Sequence, residues 1–348
     1  MYLWCINDSI MKYTTSQISK AGNIMTSSHD VLLVAEAVAK VNEWRENHLP
    51  VIEGLMAKIK ELFQLHHILP TFDSIRLKRM TSIQYKLDLN PDMSLGGMQD
   101  IAGGRFVFDD VATLEKAFSL LKDNRFELYE VVKENNYLTS PRQSGYRSIH
   151  MVYKYHSKTN EDWDKMKVEI QLRTKLQHSW AMAVETAGLI TNTAMKSGQG
   201  SDEWQEFFRT ASCIFSIEED LPIMKDMCNL SKEELVSHLR IIDANNNFYN
   251  QLLALSASVK WVEKKLFSNE LFLLYIDFDK KVLNIKSFTQ EEKDKANTMY
   301  TMIEKGIDDH KNAIVLVSVS QYKNLKEAYP SYFLNMSDFA NTIGKYLA

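Results

Sequence analysis

The chain contains 348 residues, of which 45% are hydrophobic and 25% are charged, a composition typical of globular proteins. Its length exceeds one ordinary domain, so we expect either two domains or one domain enlarged by additions. The formal net charge of −4 argues against general nucleic-acid binding, which requires a basic footprint, but leaves room for a local basic patch.

The sequence indicates neither export nor a cysteine-based metal site. No apolar run approaches the roughly 18 residues that a membrane-spanning helix requires. The stretch from Met1 to Lys20 lacks the organisation of a signal peptide, which is basic first and then apolar. Cys5, Cys213 and Cys228 lie far apart, without the spacing of zinc ligands. We therefore expect a cytoplasmic protein with ordinary thiols and no membrane partner.

The first half of the chain combines helical segments with a block of strands. Apolar residues recur at helical spacing from Asp30 to about His67, which predicts two helices broken near Pro50. Thr81 and Ser82 are candidates to cap a short helix that carries Lys86. The elements predicted next are strands at Ile101–Phe108, Phe126–Lys133, Arg147–Tyr155 and Met166–Arg173, a helix at Val111–Asp123, and a helix that Thr174 caps and Gly188 ends.

The distal part predicts a second, smaller α/β region. Its predicted elements are helices at Asp202–Glu218, Lys232–Phe267, Tyr322–Ala328 and Ser337–Leu347, a polar helical stretch near Gln290–Lys305, strands at Leu271–Ile276 and Ala313–Val319, and a loop at Ser197–Ser201. We expect an α/β (α+β) fold in which helices flank a mixed sheet. The expected division is a helical N-terminal segment (1–70), a central domain (71–224) and an extension of unknown role (225–348).

The last strand of the central block carries polar side chains on one face. Successive residues of a strand point to opposite faces, so Glu169, Gln171 and Arg173 lie opposite the apolar set of Met166–Arg173. This face is either a solvated sheet surface or the floor of a polar site, and the pattern alone favours the solvated surface.

Other polar residues have the spacing to join such a site. Tyr146 and His150 share one side of their segment, just after the turn-rich stretch Pro141–Gly145. An aromatic ring with an imidazole would suit a purine nucleotide, although a tyrosine there is more often an ordinary sheet residue. His178 and Glu185 project from one face of the helix after Thr174, where they either line the same pocket or serve the structure.

Asp100 stands at the head of a strand, just before the glycine pair Gly103-Gly104. A carboxylate there is well placed to hold Mg²⁺, which proteins bind through one or two carboxylates together with substrate phosphates. Strict alternation sends Asp100 and Arg105 to opposite faces, so we expect a β-bulge at the glycine pair if both line one site. The absence of a GxxxxGK[ST] loop argues against a P-loop ATPase.

Four segments carry these residues in a recognisable order. They are Arg76-Leu-Lys78 with Ser82 and Lys86; Gln99-Asp-Ile-Ala-Gly-Gly-Arg105; Ser144-Gly-Tyr-Arg-Ser-Ile-His150; and Val168-Glu-Ile-Gln-Leu-Arg-Thr174 followed by His178 and Trp180. Together they resemble the synthetase domain of the RelA/SpoT family, which makes guanosine tetra- and pentaphosphate. The resemblance runs from about Val41 to Glu218. It implies a nucleotidyltransferase-like mixed sheet.

The resemblance also implies the reaction and the role of each matching residue. The enzyme would be a pyrophosphokinase that moves the β,γ-diphosphate of ATP to a nucleotide 3′-hydroxyl, with Mg²⁺ as its cofactor. Asp100 and Glu169 resemble the catalytic, metal-binding carboxylates, and Glu169 would also activate the hydroxyl. The residues that match the ATP-binding group are Arg76, Lys78, Ser82, Lys86 and Arg105, and those that match the acceptor group are Tyr146, which would stack on guanine, His150, Gln171 and Arg173.

Three functions stay open on the sequence alone. The first is synthesis of (p)ppGpp from ATP and GTP or GDP, or of its adenosine analogue. The second is a toxin that places a diphosphate on the 3′ end of tRNA, which would need a basic surface such as Arg76 to Lys86 with Lys154. The third is a nucleotide-sensing module without catalysis, against which the retention of Asp100 and Glu169 argues.

The sequence also departs from parts of the family. The segment Ala181–Thr186 resembles the longer stand-alone members rather than the short synthetases. No counterpart of the hydrolase domain is recognised, so net synthesis is the expected activity. A second copy of the chain and an antitoxin stay open as protein partners, and the acceptor, the oligomeric state and the effector are not determined by the sequence.

Overall fold

The computed structural model describes residues 13–158, 163–191, 200–256, 260–263, 271–277, 280, 282–306, 312–319 and 336–348. Within them, nine strands form one mixed sheet in the order β3-β4-β5-β2-β1-β9-β7-β8-β6. The strands are β1 (Phe72–Leu77), β2 (Ala102–Phe108), β3 (Tyr129–Asn136), β4 (Ile149–Tyr155), β5 (Lys167–Thr174), β6 (Lys260–Glu263), β7 (Leu271–Asp277), β8 (Val282–Phe288) and β9 (Asn312–Val319). The pairs β2–β5 and β6–β8 are parallel, and the other pairs are antiparallel.

Helices flank this sheet, which confirms the predicted mixed fold. They are α1 (Thr15–Ser27), α2 (Val31–Glu46), α3 (His48–Leu65), α4 (Met80–Leu89), α5 (Val111–Asp123), α6 (Lys175–Thr191), α7 (Asp202–Glu218), α8 (Lys232–Asn246), α9 (Phe248–Ser256), α10 (Lys293–Glu304) and α11 (Ser337–Leu347). The predicted bounds of α5, α7 and α11 are confirmed. No helix among the described residues is long and apolar enough to cross a membrane.

One face of the sheet packs on α3 and α5 and forms the larger core. Phe63 of α3 meets Phe106 and Phe108 of β2 edge to face, with ring centroids 5.1 and 6.0 Å apart. Gly104 makes this approach possible, because a Cβ there would lie 2.4 Å from Met56 Sδ. The opposite face of β1, β2 and β5 is therefore left for polar side chains, and α6 covers only part of it.

Several predicted boundaries in the first half were wrong. The break between α2 and α3 lies at Asn47, and Pro50 sits in the first turn of α3, where a missing N–H costs nothing. Helix α4 begins at Met80, so Thr81 and Ser82 lie inside the helix and do not occupy its cap position. The sequence analysis predicted neither α1 nor β1.

Other boundaries differ in the second half. Helix α6 runs through Gly188 to Thr191. The predicted helix Lys232–Phe267 is interrupted at Asn247, whose φ of 58° is left-handed, and residues 260–263 of it form β6. Residues 257–259 and 264–267 of this predicted helix lie outside the described residues. Strands β6 and β8 were not predicted. The predicted helix Tyr322–Ala328, and residues 197–199 of the predicted loop, lie outside the described residues.

Strands from both sides of the predicted boundary near residue 225 belong to the same sheet. Strand β9 pairs with β1, where Ser74, Ile75 and Arg76 lie opposite Val319, Ser318 and Val317. Strand β1 is therefore an interior strand, flanked by β2 and β9. The division into a central domain and an extension stays a prediction.

Candidate active site

The polar face of the sheet brings together the side chains predicted from alternation. Directly paired residues point to the same face of a sheet, and Gly103 lies opposite both Arg76 and Glu169. Gln171 lies opposite both Arg105 and His150. The residues that share this polar face by register are Arg76, Arg105, His150, Glu169, Gln171 and Arg173.

Burial distinguishes between the two readings of this face. The side chain of Glu169 is 13% exposed, and Arg105 and Arg173 are 5% and 2% exposed as whole residues. A solvated sheet surface would leave such long charged side chains in water. Because charged groups are buried only when paired, the face is a polar site rather than outer surface.

Asp100 is held by two lysines at the edge of this face. Lys78 Nζ lies 2.9 Å from its Oδ2, and Lys86 Nζ lies 2.8 Å from its Oδ1. Lys78 follows β1 directly, and Lys86 lies on α4. Burial alone would raise the pKa of Asp100, but the charges of Lys78 and then Lys86 outweigh burial and hold the pKa far below its usual value. Asp100 is therefore ionised throughout the physiological pH range.

The predicted β-bulge at Gly103-Gly104 was wrong. Strand β2 keeps an unshifted register with β1 and with β5 throughout its described length. Asp100 precedes β2, which begins at Ala102, so the alternation of the strand does not govern the direction of its side chain. A Cβ at Gly103 would make only an ordinary 3.6 Å contact with the Glu169 carbonyl oxygen, so the polar face has free space over this residue.

Glu169 belongs to a closed ring of hydrogen bonds. His150 Nδ1 lies 2.8 Å from Glu169 Oε1, and Gln171 Nε2 donates to Glu169 Oε2 at 2.7 Å. Arg173 donates through one nitrogen to Gln171 Oε1 at 3.0 Å and to the Tyr146 hydroxyl oxygen at 2.5 Å. The Tyr146 hydroxyl closes the ring, 2.7 Å from His150 Nε2. Each member is thereby fixed in orientation by two neighbours.

The ring also sets the charge of its members. Burial would raise the pKa of Glu169, but the charge and hydrogen bond of His150 outweigh burial and lower it. Burial would likewise lower the pKa of His150, but the negative charges of Tyr146 and Glu169 raise it. The charges of Arg173 and His150 lower the pKa of Tyr146 to about 7, against the effect of burial. Both shifts favour the charged forms, a carboxylate at Glu169 and a protonated imidazole at His150.

The two carboxylates lie close enough for their charges to interact. The charge of Asp100 acts on Glu169 and opposes the lowering of its pKa. Within the described part of the chain, no group of three or more His, Cys, Asp and Glu side chains is arranged to hold a metal ion. Two carboxylate donors nevertheless match Mg²⁺, because that ion completes its shell with water and substrate phosphates.

Tyr146 is not an open stacking surface in this structure. The residue is only 7% exposed, and the guanidinium carbons of Arg173 and Arg142 lie 5.1 and 5.6 Å from its ring centroid. Arg142 also lies 4.7 Å from the ring centroid of Tyr137 and donates to its hydroxyl at 2.9 Å. The sequence analysis missed Arg142, although it lies within the turn-rich stretch that leads to Tyr146. The predicted stacking of Tyr146 on a base stays a prediction.

The helix α6 contributes one of its two predicted residues to the edge of the site. Glu185 Oε1 lies 3.9 Å from a terminal nitrogen of Arg76. His178 instead is buried and meets Phe72 edge to face, with ring centroids 5.2 Å apart. Ser82 lies half-buried on α4, one turn before Lys86.

Comparison with known proteins gives this arrangement a family. The family described as "Region found in RelA / SpoT proteins" matches residues 75–189. Over 152 residues the chain is 30% identical to the GTP pyrophosphokinase YjbM of Bacillus subtilis (strain 168), and the aligned part covers 40% of this chain and 70% of the relative. Over 84 residues it is 30% identical to the GTP pyrophosphokinase YwaC of the same organism, and this aligned part covers 24% of the chain and 39% of the relative.

Solved structures are also similar to part of the chain. Small alarmone synthetase 1 from Bacillus subtilis, bound to its product pppGpp, is 25% identical, with a TM-score of 0.44, and covers 51% of this chain and 94% of its own. A GTP pyrophosphokinase family protein from Streptococcus pneumoniae is 24% identical, with a TM-score of 0.42, and covers 51% and 90%.

Proposed function

The chain belongs to the RelA/SpoT family and is a GTP diphosphokinase-like enzyme, and from this premise we propose that it transfers the β,γ-diphosphate of ATP to the 3′-hydroxyl of GTP or GDP and makes (p)ppGpp. The observation that carries the proposal is the pairing of Asp100 with two lysines, together with the buried carboxylate of Glu169, whose charge interacts with that of Asp100. Cations that can bind phosphate oxygens, together with carboxylates that can bind Mg²⁺, suit ATP as the donor of a diphosphate.

The donor nucleotide binds to the cationic side of the site. Lys78, Lys86 and Ser82 receive the phosphates, and Arg76 and Arg105 flank the adenine. The two lysines hold Asp100 in the free protein, and they can exchange this carboxylate for phosphate oxygens when ATP enters. Phosphoryl-type transfer asks a protein mainly for positioning and charge neutralisation, and these cations provide both.

The acceptor nucleotide binds on the side of the hydrogen-bonded ring. Tyr146, His150, Gln171 and Arg173 form the acceptor pocket, and Glu169 faces the 3′-hydroxyl. The acceptor oxygen bonds to the β-phosphorus, the bond from that phosphorus to the oxygen of the α-phosphate breaks, and AMP leaves. Glu169 is ionised, accepts the hydrogen bond of the 3′-hydroxyl and takes up its proton as the new bond to phosphorus forms.

Asp100 and Glu169 are the residues that would hold Mg²⁺. Their carboxylate oxygens are the donors that this hard cation prefers, and the interaction of their charges supports a shared ion. When bound, the ion neutralises charge on the transferred diphosphate. The side chains of the protein supply the orientation of both nucleotides.

The test is a labelling experiment on the purified chain. ATP labelled at the γ-phosphate and Mg²⁺ are incubated with GTP, with GDP, with no second nucleotide, and with deacylated tRNA in separate reactions. The proposal expects label on GTP and GDP. Label on tRNA alone would assign the toxin activity instead, and no transfer to any acceptor would leave the sensing function.

A further inference from the structure

A buried ion pair joins the N-terminal helices to the distal region. Arg45 on α2 is fully buried, and Glu304 at the end of α10 has a 6% exposed side chain. The guanidinium donates to both carboxylate oxygens of Glu304, at 2.9 and 3.3 Å. It also donates to Asn42 Oδ1 at 2.5 Å, and the Tyr300 hydroxyl donates to Glu304 Oε1 at 2.5 Å. The charges are thus paired and hydrogen-bonded, as burial requires.

The same pair contacts the segment that carries the donor-side lysines. Glu304 Oε1 accepts a hydrogen bond from the backbone N–H of Met80 at 3.0 Å. Arg45 donates to the backbone carbonyl of Lys78 at 3.2 Å. Met80 is the first residue of α4, and the first N–H groups of a helix have no partner within it. A carboxylate is a favourable partner there because it also interacts with the helix dipole.

This contact fixes the short link between β1 and α4 from both ends. Lys78 holds Asp100 Oδ2, and α4 carries Lys86, which holds Asp100 Oδ1. A shift of the link would move Lys78 and α4, and so change the geometry with which the two lysines meet their common partner. The ion pair therefore supports the cation cluster, which consists of Lys78 and Lys86. One backbone hydrogen bond joins the pair to Lys78, and another joins it to Met80, where α4 begins.

Other contacts of the distal region reinforce the same side of the site. Strand β9 pairs with β1 at Arg76, so the distal region supplies one neighbour of this strand. On α10, Thr301 Oγ1 accepts from Asn42 at 3.0 Å, and Asn42 itself accepts from Arg45. The same helix makes a separate ion pair, 2.7 Å between Lys293 Nζ and Glu53 of α3, which involves neither the buried pair nor the link. The family match covers residues 75–189 and contains neither member of the buried pair.

We propose that Arg45 and Glu304 are positioning residues for ATP, and that the distal region is thereby an integral part of the donor half of the site. The pair touches no substrate and acts through the backbone of Lys78 and Met80. The inference rests on the proposed function, since it takes the cation cluster as the ATP phosphate site. Its specific consequence is that loss of the pair weakens ATP binding and leaves acceptor binding unchanged.

The test removes both charges together, because one buried charge without its partner destabilises a protein strongly. The double variant Arg45→Met with Glu304→Met has no acceptor for the Met80 N–H. The double variant Arg45→Met with Glu304→Gln is equally uncharged but keeps an amide oxygen at that place. Thermal unfolding, KM for ATP, KM for GTP and ATP affinity by calorimetry without acceptor are measured for both variants and for wild type.

The proposal expects a selective effect on the donor. In the double-methionine variant, KM and Kd for ATP should rise about tenfold, the equivalent of about 1.4 kcal/mol, with KM for GTP unchanged. In the variant with Gln at residue 304, ATP affinity should return to within about threefold of wild type. Wild-type ATP affinity in the double-methionine variant, or an equal rise in both KM values, would overturn the proposal.

Two further variants guard against a general loss of structure. Glu304→Asp keeps the charge pair but is one methylene too short to bond to both Arg45 and Met80, so KM for ATP should still rise, by about fivefold. An unchanged KM for ATP in this variant would also overturn the proposal. The matched control is Lys293→Met with Glu53→Met, which removes another contact of α10 away from the link and should leave KM for ATP at its wild-type value.

A failure of the proposed function would look different. Wild-type protein that bound no ATP in calorimetry would refute both statements together, whereas label on tRNA instead of GTP and GDP would refute the proposed acceptor and leave the positioning role standing. Wild-type protein that binds ATP and transfers its diphosphate, with variants that bind ATP equally well, would refute the positioning role alone.

Discussion

The substitution Glu169→Gln separates chemistry from folding more sharply than any other change in the site. It removes the carboxylate charge and keeps the shape of the side chain. The new amide oxygen can accept from Gln171, and the new amide NH₂ can donate to His150 Nδ1 if the imidazole is neutral and carries its proton on Nε2. That proton is then donated to the Tyr146 hydroxyl, so every member of the ring keeps a partner.

The expected cost in stability is accordingly small. Two charge-assisted hydrogen bonds become neutral ones, which lowers the free energy of unfolding by about 1–2 kcal/mol. The chemical step loses its proton acceptor, and the contribution of a positioned general base is about 10²–10⁴-fold in rate. Glu169→Gln should therefore be folded, bind ATP, and transfer its diphosphate more slowly by at least about two orders of magnitude.

Single-turnover transfer of label to GTP measures this rate, and calorimetry measures ATP binding in the same preparation. The matched control is Glu130→Gln on β3, which alters a second glutamate–histidine pair. In this pair Glu130 Oε2 lies 2.9 Å from His156 Nε2, and the glutamate side chain is 55% exposed. The control should turn over at the wild-type rate. A Glu169→Gln rate above about one tenth of wild type would refute the assignment of Glu169 as the base.

Three further predictions address the donor side, the metal and the sheet. Lys86→Met should raise KM for ATP in steady-state kinetics by about 10–100-fold, because it removes a charge-assisted contact to phosphate. The side chain of Lys86 is 33% exposed, so the unfolding midpoint should change little. An unchanged KM for ATP would contradict the proposed role of this lysine. Chelation of Mg²⁺ should abolish transfer and re-addition should restore it in a label-transfer assay, whereas transfer at full rate in excess chelator would exclude the metal. Gly104→Ala should lower the free energy of unfolding by about 1–3 kcal/mol in denaturant titration, because the new Cβ would press on Met56. The control Gly103→Ala should unfold near the wild-type midpoint, because its Cβ meets no close neighbour. Equal midpoints for the two variants would contradict the packing argument.

The acceptor half of the site was readable from the sequence because it is local. Glu169, Gln171 and Arg173 follow one another at alternate positions of a single strand, so the period of two was enough to place them on one face. His150 lies on the neighbouring strand in register with Gln171. Tyr146 was predicted on the side of His150, and its hydroxyl lies 2.7 Å from His150 Nε2. Its bond to Arg173 was not predictable, because Tyr146 precedes β4, where strand alternation gives no direction.

The bulge prediction failed for the same physical reason. Alternation constrains side chains only where the backbone is extended and paired, and Asp100 lies two residues before β2 begins. Its direction is set by the ion pairs with Lys78 and Lys86 instead. A rule of local geometry was applied beyond the end of the element that it describes.

The donor half depends on contacts that no local period can reveal. Arg45 and Glu304 are 259 positions apart, and β9 reaches β1 from the far end of the chain. In the sequence Arg45 stands four residues after Val41, on the apolar side of its helix, but nothing local reveals what pairs with its charge, because a different segment supplies that partner. Closing such a long loop costs conformational entropy that only many cooperating contacts repay. The Arg45–Glu304 pair therefore both joins the distal region to the core and holds the link that carries the lysines, so the same two residues serve the fold and the donor half of the site.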